Sequence, residues 1–429
     1  MNFTELNEKE FEEFAYNHKQ FSFHQTKEWA KLKKYNGWGS VYIGLKENDK
    51  IVAAALILTK QTPVKRKMFY SPRGFLIDYD NKELLETFTN ELKKYAKKNK
   101  ALFIKIDPYL IYKQRDMNAE IVEGGIDNST AITNLKNLGY KHYGLNKDMK
   151  ELQPRWIYVL NMNGKSEEEI FNDFSKDTKR YINRCEKQGL VVEEIGIDKI
   201  DEFKRIMEHT SKRRGFIDRP ISYYKEMLES LGEHIKILSC YLDTDKWINN
   251  LDSEKEEINN SMKEVEEKLS INPDSKKSKD MKRNLEKSIE DLNKKYEEVN
   301  GLKEKYGNKV HMASSMFIIY PNEVLYLYSG SFDEFMKYNP QYLIQWEIIK
   351  YTIKNNIPKY NFYGIDGNFD KNNNEMYGIY EFKRGFGGNV EEFIGEFDLV
   401  ISKFMYFLYK VAFKFYKGIK NIKNGIKKK

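Results

Sequence analysis

The sequence predicts an α/β protein built from two mixed α/β units of one ancestral type, with a helical hairpin inserted into the second. The main observation is an internal repeat: KYAKKNKALFIKID at 94–107 and KYTIKNNIPKYNFYGID at 350–366. In each segment a helix ends in Lys-Tyr, a basic and polar turn follows, and an aromatic-rich strand closes on Ile-Asp. Such a repeat indicates duplication and puts Asp107 and Asp366 at equivalent strand ends.

Two apolar runs separated by a turn precede the helix of each unit. The runs are 41–45 and 52–59 in the first half, and 312–320 and 324–329 in the second. The order strand, strand, helix, strand is therefore predicted twice. A second parallel supports duplication, because a helix, a glycine and a strand follow one another in both 29–45 and 167–195.

Residues 247–306 carry the clearest local pattern. Apolar side chains step by four and three in both arms: Ile258, Met262, Val265 and Leu269, then Ile289, Leu292, Tyr296 and Val299. The segment INPDS at 271–275 breaks the helix between the arms. We predict an antiparallel coiled-coil arm that projects from a domain, because the segment lies between two apolar strands. The role of the arm stays open, because alternating acids and bases leave it nearly neutral. It could bind a partner, act as a solvated spacer or form a dimer contact.

These patterns divide the chain. The prediction is a first α/β subdomain at 1–150, a second at 151–243 and 307–398, the helical insertion at 244–306, and a basic amphipathic C-terminal helix at 399–429. A chain of 429 residues has room for two or three domains with their own cores.

The excess positive charge belongs to the C-terminal end. The formal net charge is +8, and nine lysines without any acid lie from Lys403 onward, so the rest of the chain is nearly balanced. Apolar residues recur at helical spacing among them: Phe404, Phe407, Leu408, Val411, Phe415 and Ile419. The apolar run is too short to span a bilayer. Such a helix either lies on an anionic membrane surface or docks on the body with a frayed basic end.

Composition argues against several classes of protein. Cys185 and Cys240 have neither CxxC nor zinc-site spacing, so neither a disulfide framework nor structural zinc is expected. The first residues are acidic and amphipathic without a long apolar run, which predicts no signal peptide and a cytoplasmic protein. The sequence contains no HExxH, Walker loop or serine elbow, and we expect neither a metal nor a cofactor.

Two cations of the first half are candidates for ligand binding. Lys33 lies four residues after Trp29, on nearly the same face of a helix that Thr26 caps. The alternative is a lysine stem packed on the tryptophan with its charged head in solvent. Arg73 occupies a turn with the sequence YSPRGF, where it is either an anion-binding residue or a surface turn arginine.

A third cation lies in the segment DRPISYY of the second half. Arg219 and Tyr223 come onto one face if Pro220 is the first helical residue. The planar guanidinium is suited to gripping phosphate. Pairing with the adjacent Asp218 is the alternative.

The densest stretch of chemistry is 359–388. It combines a strand ending at Asp366, a polar loop, and the basic glycine turn FKRGFGG at 382–388. Glycines allow a backbone to approach a ligand closely, whereas the plainer interpretation is a solvated turn with surface charges. Asp107 ends the equivalent strand of the first half, as a turn cap or as a site residue.

Several segments together resemble the FemABX family of non-ribosomal peptidyltransferases, in particular its FemA-like members. They are SFHQTKEWAKLKKYNGW, YSPRGFLIDY, IKIDPY, DRPISYY and QWEIIKYTIKNNIPKYNFYGIDG followed by FKRGFGG, in this order and with the helical insertion. The resemblance implies two GNAT-like subdomains and a coiled-coil arm. It also implies transfer of an amino acid, commonly glycine, from aminoacyl-tRNA to the stem-peptide amine of a lipid-linked or UDP-linked peptidoglycan precursor, in cell-wall biogenesis.

The resemblance also implies roles on the acceptor side. Lys33 resembles the family's lysine for the precursor phosphates, with Lys34 as the alternative register. Arg219 and Tyr223 resemble its arginine and tyrosine partners. Arg73 joins them as a substrate-binding candidate because of its turn.

On the reacting side, Asp107 resembles the family's substrate-site aspartate. Phe382 and Lys383 resemble the FKxG pair associated with the aminoacyl-tRNA end. An aminoacyl ester is already activated, so the enzyme must hold two polyanions, deliver an uncharged amine and stabilise an oxyanion. Asp107 or Asp366 would orient the amine or carry its proton.

Two other functions compete with this interpretation. A GNAT acyltransferase using acyl-CoA would need the pyrophosphate loop RxxGxG/A, whose final small residue is missing from RGFGGN at 384–389. A coiled-coil membrane adaptor would use only the arm and the tail, and it would leave the duplicated body unexplained. The donor amino acid, the number of residues added, the form of the acceptor and the oligomeric state are not encoded in these motifs.

Overall fold

The protein folds into two mixed β-sheets flanked by helices. The computed structural model describes residues 1–149 and 151–413. The strands are β1 (Asn2–Glu5), β2 (Gly39–Glu47), β3 (Lys50–Gln61), β4 (Lys67–Ser71), β5 (Ala101–Ile106), β6 (Ile111–Gln114), β7 (Tyr140–His142), β8 (Trp156–Asn161), β9 (Leu190–Ile195), β10 (Ile235–Asp243), β11 (Lys309–Tyr320), β12 (Glu323–Ser331), β13 (Lys359–Gly364), β14 (Asn389–Phe393) and β15 (Phe397–Val400).

Most connections between the strands are helical. The α-helices are α1 (Glu8–Tyr16), α2 (Lys27–Tyr35), α3 (Lys82–Lys98), α4 (Ser129–Asn137), α5 (Glu167–Asp173), α6 (Lys176–Lys187), α7 (Ile200–Arg214), α8 (Ile221–Leu231), α9 (Thr244–Ile271), α10 (Lys276–Tyr306), α11 (Pro340–Lys354) and α12 (Tyr377–Arg384). Short 3-10 turns occupy Phe23–Gln25, Ile197–Lys199, Gly232–His234 and Asp333–Tyr338.

The predicted duplication is visible in the sheet topology. The first sheet has the order β1-β2-β3-β4-β5-β15-β7, and the second has β6-β14-β8-β13-β12-β11-β10-β9. Five consecutive strands, β1 to β5 and β9 to β13, therefore repeat the same order. In both sets three antiparallel pairings are followed by one parallel pairing, between β4 and β5 or between β12 and β13.

The predicted register of the repeat in the first half is wrong by one strand. The runs 41–45 and 52–59 are β2 and β3, whereas the topology matches β3 and β4 to β11 and β12. The second parallel is displaced as well, because 190–195 is β9, which corresponds to β1 and not to β2. The cause is the short strand β4, whose C-terminal end lies in the segment around Arg73 that the sequence predicts as a turn.

The two halves exchange strands and share a core. β6 joins the second sheet, while β15 joins the first between β5 and β7. One cluster of buried side chains contains Trp29 and Leu56 from the first half and Phe203, Tyr224 and Ile318 from the second. This exchange crosses the boundary predicted near residue 150, and the domain limits remain a prediction.

The insertion consists of two long helices between β10 and β11. Helices α9 and α10 run antiparallel, as three cross-helix ion pairs show: Lys303–Asp245 at 2.6 Å, Lys295–Glu254 at 2.9 Å and Lys282–Glu266 at 2.8 Å. At the base, Trp247 and Val299 are buried in the second-half core. Classification of the pair as a coiled coil remains a prediction.

Residues 403–413 are helical and pack against the first sheet. The Tyr406 hydroxyl donates to Asp398 Oδ2 at 2.6 Å, and its ring lies 5.3 Å from that of Phe103. Phe404 and Phe407 point outward, with 70% and 64% of their surface exposed. The remainder of the predicted C-terminal helix, 414–429, lies outside the described residues. In the described part of the chain no helix has the length and apolar character needed to cross a bilayer.

Candidate active site

Lys33 approaches the second half of the chain from α2. Thr26 caps this helix by accepting a hydrogen bond from Trp29 N at 3.2 Å, and Lys33 Nζ lies 3.9 Å from the Trp29 ring centroid. Burial lowers the pKa of Lys33 to about 8, and the positive charge of Arg219 contributes to the shift. Lys33 therefore shares an electropositive space with Arg219, whereas Lys34 is exposed.

Arg219 and Tyr223 lie at the start of α8, where the helix packs on α2. Arg219 Cζ is 5.2 Å from the Tyr223 ring centroid, so the two side chains meet as the spacing predicts. Pro220 is the N-cap rather than the first helical residue. The Asp218 carboxylate is engaged elsewhere: it pairs with Lys204 and accepts from the Tyr224 hydroxyl at 2.6 Å. Its contact with Arg219 is to the backbone N, at 2.8 Å, which leaves the guanidinium available.

Asp107 is buried at the end of β5. Its Oδ2 accepts from the Tyr70 hydroxyl at 2.8 Å, and its Oδ1 accepts from Arg73 N at 2.7 Å. Burial raises the pKa of Asp107 to about 6, against the opposing effect of the Arg73 charge and of these hydrogen bonds. The carboxyl group therefore changes charge close to neutral pH.

Arg73 is a buried residue, so its interpretation as a surface turn arginine is wrong. The guanidinium donates to the Pro154 carbonyl at 2.7 Å and lies 4.7 Å from the Phe393 ring centroid. Both partners belong to the second half. Arg73 thus joins the halves beside Asp107, and its positive charge acts on that carboxylate.

Sequence reasoning missed two residues that complete this cluster. Gln153 accepts from the Tyr363 hydroxyl at 2.8 Å and also hydrogen-bonds the side chains of Tyr70 and His24. Tyr363 has a φ of 65° at a register shift near the end of β13, and its hydroxyl lies close enough to Asp107 for the carboxylate charge to act on it. Neither residue stands out in the sequence, because Gln153 is in a connecting segment and Tyr363 is one of several aromatics in its strand.

Lys383 is buried at the C-terminal end of α12. Only 5% of its surface is exposed, and Nζ donates to the carbonyl oxygens of Gly364 at 2.6 Å and Tyr363 at 3.3 Å. Among the described residues no carboxylate pairs with it, and burial lowers its pKa to about 7. Adjacent Phe382 packs edge-on to Tyr342, with ring centroids 4.9 Å apart. Lys383 is therefore connected to the Asp107 cluster through Tyr363.

Close packing explains the glycine at position 388, in the turn after α12. Gly388 has a φ of 99°, and a Cβ atom there would lie 2.1 Å from the Val159 carbonyl oxygen. The turn therefore has a structural reason for glycine in addition to any functional one.

Asp366 lies just past the end of β13 at Gly364, close to the predicted strand end, but it does not join the cluster. Its Oδ1 accepts from Asn368 N at 2.8 Å, the contact of an Asp that caps a turn. Within residues 1–149 and 151–413 no hydrogen bond or ion pair links it to another predicted site residue. The equivalent strand ends thus carry acids with different surroundings.

The second sheet opens beside Lys383. β12 and β13 pair only at Val324–Tyr360 and Leu325–Asn361, although both strands continue further. In the first sheet, β4 and β5 stay paired along the length of β4. Beyond these pairs the β13 backbone is bonded to side chains, because Tyr363 N donates to Asn361 Oδ1 and the carbonyl oxygens of Tyr363 and Gly364 accept from Lys383 Nζ. The point where the two strands separate therefore lies next to Lys383.

Comparisons with known proteins identify relatives of this chain. The sequence pattern of the FemAB family matches residues 6–414. The chain is 34% identical over 417 residues to "Aminoacyltransferase FemA" of Staphylococcus epidermidis, covering 96% of this chain and 99% of that protein. It is 33% identical over 412 residues to the protein of the same name from Staphylococcus aureus (strain MRSA252), covering 95% and 97%.

A solved structure agrees with the sequence matches. The crystal structure of FemX superimposes with a TM-score of 0.79 at 26% identity, covering 95% of this chain and 99% of that one. From its sequence match and its similarity to these relatives, the chain belongs to the FemAB family.

Proposed function

We propose that the protein is an aminoacyltransferase that moves an amino acid, glycine, from aminoacyl-tRNA to the stem-peptide amine of a peptidoglycan precursor. The reaction would build the bridge between cell-wall peptides. The observation that carries the proposal is the arrangement of two separate cationic positions, Lys33 with Arg219 and the isolated Lys383, around a cluster centred on Asp107. The names of the relatives, which are aminoacyltransferases, support the same class of reaction.

The acceptor would be held by the first of these positions. Lys33 and Arg219 raise the local potential from two sides, and the Tyr223 ring supports the guanidinium at 5.2 Å. A diphosphate, present in lipid-linked and in UDP-linked precursors, would bridge the two cations. Its charge would also oppose the lowering of the Lys33 pKa that burial and the Arg219 charge produce.

The donor would enter where β12 and β13 separate. The 3′ end of an aminoacyl-tRNA is an extended chain, which would fit an opening between two separating strands. Lys383, at the edge of that opening, would face the ester. Its ammonium form would stabilise the oxyanion that develops on the ester carbonyl oxygen.

The chemistry then requires one bond to form and one to break. The acceptor nitrogen attacks the ester carbonyl carbon, a C–N bond forms, and the C–O bond to the terminal ribose breaks. The uncharged amine nitrogen loses one of its two protons, which ends on the ribose oxygen, and keeps the other as the amide N–H. Asp107, ionised above a pH of about 6, would orient the amine and accept a proton from it.

The lipid-facing part of the proposal concerns the helical residues 403–413. Phe404 and Phe407 are exposed beside Lys403 and Lys410, and more lysines follow. An apolar stripe bordered by cations is suited to the surface of an anionic bilayer. We therefore include peripheral contact with the membrane in the proposal.

Transfer of labelled glycine from charged tRNA to a purified precursor tests the function. The expected product is the precursor carrying an added glycine, formed with lipid-linked or UDP-linked acceptor and abolished by ribonuclease. Equal transfer from glycyl-CoA in the absence of RNA would overturn the proposal in favour of an acyl-CoA enzyme.

A further inference from the structure

The loop between α7 and α8 presents large apolar side chains to solvent. Ile217 is 94% exposed and Phe216 is 45% exposed. Gly215, with a φ of 72°, ends α7 directly before them. Large exposed apolar residues that adjoin each other in a short loop are a candidate interaction surface.

This exposure is imposed by the fold. Asp218 points inward, because it is held by Lys204 on α7 and by the Tyr224 hydroxyl on α8. Next to it, Pro220 caps α8 and restricts the backbone. With Asp218 anchored, Phe216 and Ile217 form an outward tip on a fixed base.

The tip is surrounded by positive charge. Residues 212–219 contain four cations and one acid. Arg213 pairs with Asp333 at 2.5 Å, and the acid of the loop, Asp218, is neutralised by Lys204. Lys212 and Arg214 are exposed, and none of the acids in the described residues pairs with them. An apolar tip with unpaired cations at its base is complementary to an anionic bilayer.

We propose that residues 212–219 dock the protein on an anionic membrane, with Phe216 and Ile217 inserted between the lipid headgroups. This inference rests on the proposed function in one respect, since it takes Arg219 as a ligand of the acceptor's phosphates. It then selects the lipid-linked form of the precursor as the acceptor.

Chain geometry supports the connection between the tip and the phosphate position. Two residues of extended chain span at most about 7 Å. The headgroup layer on each side of a bilayer is about 5 to 8 Å thick. With Ile217 at the base of that layer, Arg219 lies at the level where a lipid-linked diphosphate is found.

Insertion can be measured directly, because the chain's own cysteines, Cys185 and Cys240, are buried. Ile217→Cys in the full chain is labelled with a polarity-sensitive fluorophore and mixed with vesicles of equimolar phosphatidylcholine and phosphatidylglycerol. The matched control is Ile271→Cys, at the tip of the helical insertion, where the isoleucine is 86% exposed. We expect the emission of the label at 217 to shift to the blue and that of the label at 271 to stay unchanged. No shift at 217, or equal shifts at both positions, would overturn the proposal.

Sedimentation with the same vesicles gives the energetic test. Ile217→Asp should lower the bound-to-free ratio about tenfold or more, because an exposed apolar anchor is lost and a like charge is introduced. Replacing both Lys212 and Arg214 by Ala should lower it by about fivefold for each cation. Ile271→Asp should leave it unchanged. Wild-type binding by the Ile217→Asp protein would contradict the proposal.

Activity separates this inference from the proposed function. Ile217→Asp should reduce transfer to a lipid-linked precursor in vesicles and leave transfer to a soluble UDP-linked precursor as in the wild type. An equal loss of transfer with both acceptors would show that the loop covers the active site, and it would overturn membrane docking. If the wild type binds vesicles through Ile217 but transfers nothing to either acceptor, the proposed function fails and membrane docking is retained.

Discussion

Lys383 Nζ donates to the Gly364 carbonyl oxygen at 2.6 Å, in a buried position where the described residues provide no carboxylate. A buried amine without a counter-ion prefers the neutral form, which is why its pKa is lowered from 10.5 to about 7. The residue therefore costs stability at neutral pH. A position of this kind is expected where function, rather than stability, retains the residue.

Stability should depend on pH through Lys383. Between pH about 7 and about 10.5 the unfolded chain binds more protons at this lysine than the folded one, so the free energy of unfolding rises with pH. From pH 7 to pH 9 the expected contribution is on the order of 2 to 3 kcal/mol. Urea denaturation of Lys383→Met should show a correspondingly smaller rise. Lys34→Met, on the exposed side of α2, serves as the control and should keep the rise of the wild type; an unchanged rise in Lys383→Met would contradict the assignment.

Transfer should be lost as the pH falls through about 6, because Asp107 becomes protonated there. Asp107→Asn should lower kcat/KM by about a hundredfold to ten-thousandfold if this carboxylate acts as the base. It should also remove the acidic limb of the pH profile. The control is Asp366→Asn at the equivalent strand end, which should retain that limb. A limb that persists in Asp107→Asn would assign it to another group.

Arg73→Gln should destabilise the protein and shift the same limb. The substitution removes the donor to Pro154, the contact with Phe393 and the charge that opposes the raised pKa of Asp107. Loss of one buried charged partner costs about 3 to 5 kcal/mol. Denaturation in urea gives the stability change, and the acidic limb of the folded variant should move to higher pH. A limb at the wild-type position would show that Arg73 does not act on Asp107.

The exposed phenylalanines of the helical residues 403–413 should contribute to membrane binding independently of the loop at Ile217. Replacing Phe404 and Phe407 together by Ser removes two side chains that are 70% and 64% exposed and leaves the Tyr406 contacts in place. We expect less protein to sediment with phosphatidylglycerol vesicles, and unchanged thermal stability. Equal sedimentation of variant and wild type would exclude this helix from the interface.

The sequence predicted the architecture better than the arrangement of the site. Hydrophobic runs and glycine positions were sufficient for the duplicated α/β units and for the helical insertion, because these depend on local periodicity. The short strand β4 (Lys67–Ser71) was missed, since five residues next to a turn carry too little periodic signal. Its omission displaced the repeat by one strand.

The site depends on contacts between distant parts of the chain. Arg73 could be taken for a surface residue because its partners, Pro154 and Phe393, are separated from it by long stretches of sequence. Likewise, only the folded structure shows that Gln153 and Tyr363 lie in the cluster around Asp107. Local spacing did predict that Arg219 and Tyr223 meet, although Pro220 is the N-cap of α8 and Arg219 precedes the helix. It could not show that Asp218 pairs with Lys204.

In the proposed division of the site, Lys33 and Arg219 serve the precursor while Lys383 serves the aminoacyl-tRNA. Steady-state kinetics with each substrate varied in turn test it most directly, on folded variants and with Lys34→Ala as the control. A charge-assisted contact to phosphate is worth about 1.5 to 3 kcal/mol, or about ten- to a hundredfold in affinity. Lys33→Ala and Arg219→Ala should therefore raise KM for the precursor by this factor and leave KM for the tRNA nearly unchanged. Lys383→Ala should lower kcat or impair use of the tRNA with the precursor KM intact. A Lys383→Ala protein with weaker binding of the precursor only, or an Arg219→Ala protein with weaker binding of the tRNA only, would contradict this division of the site.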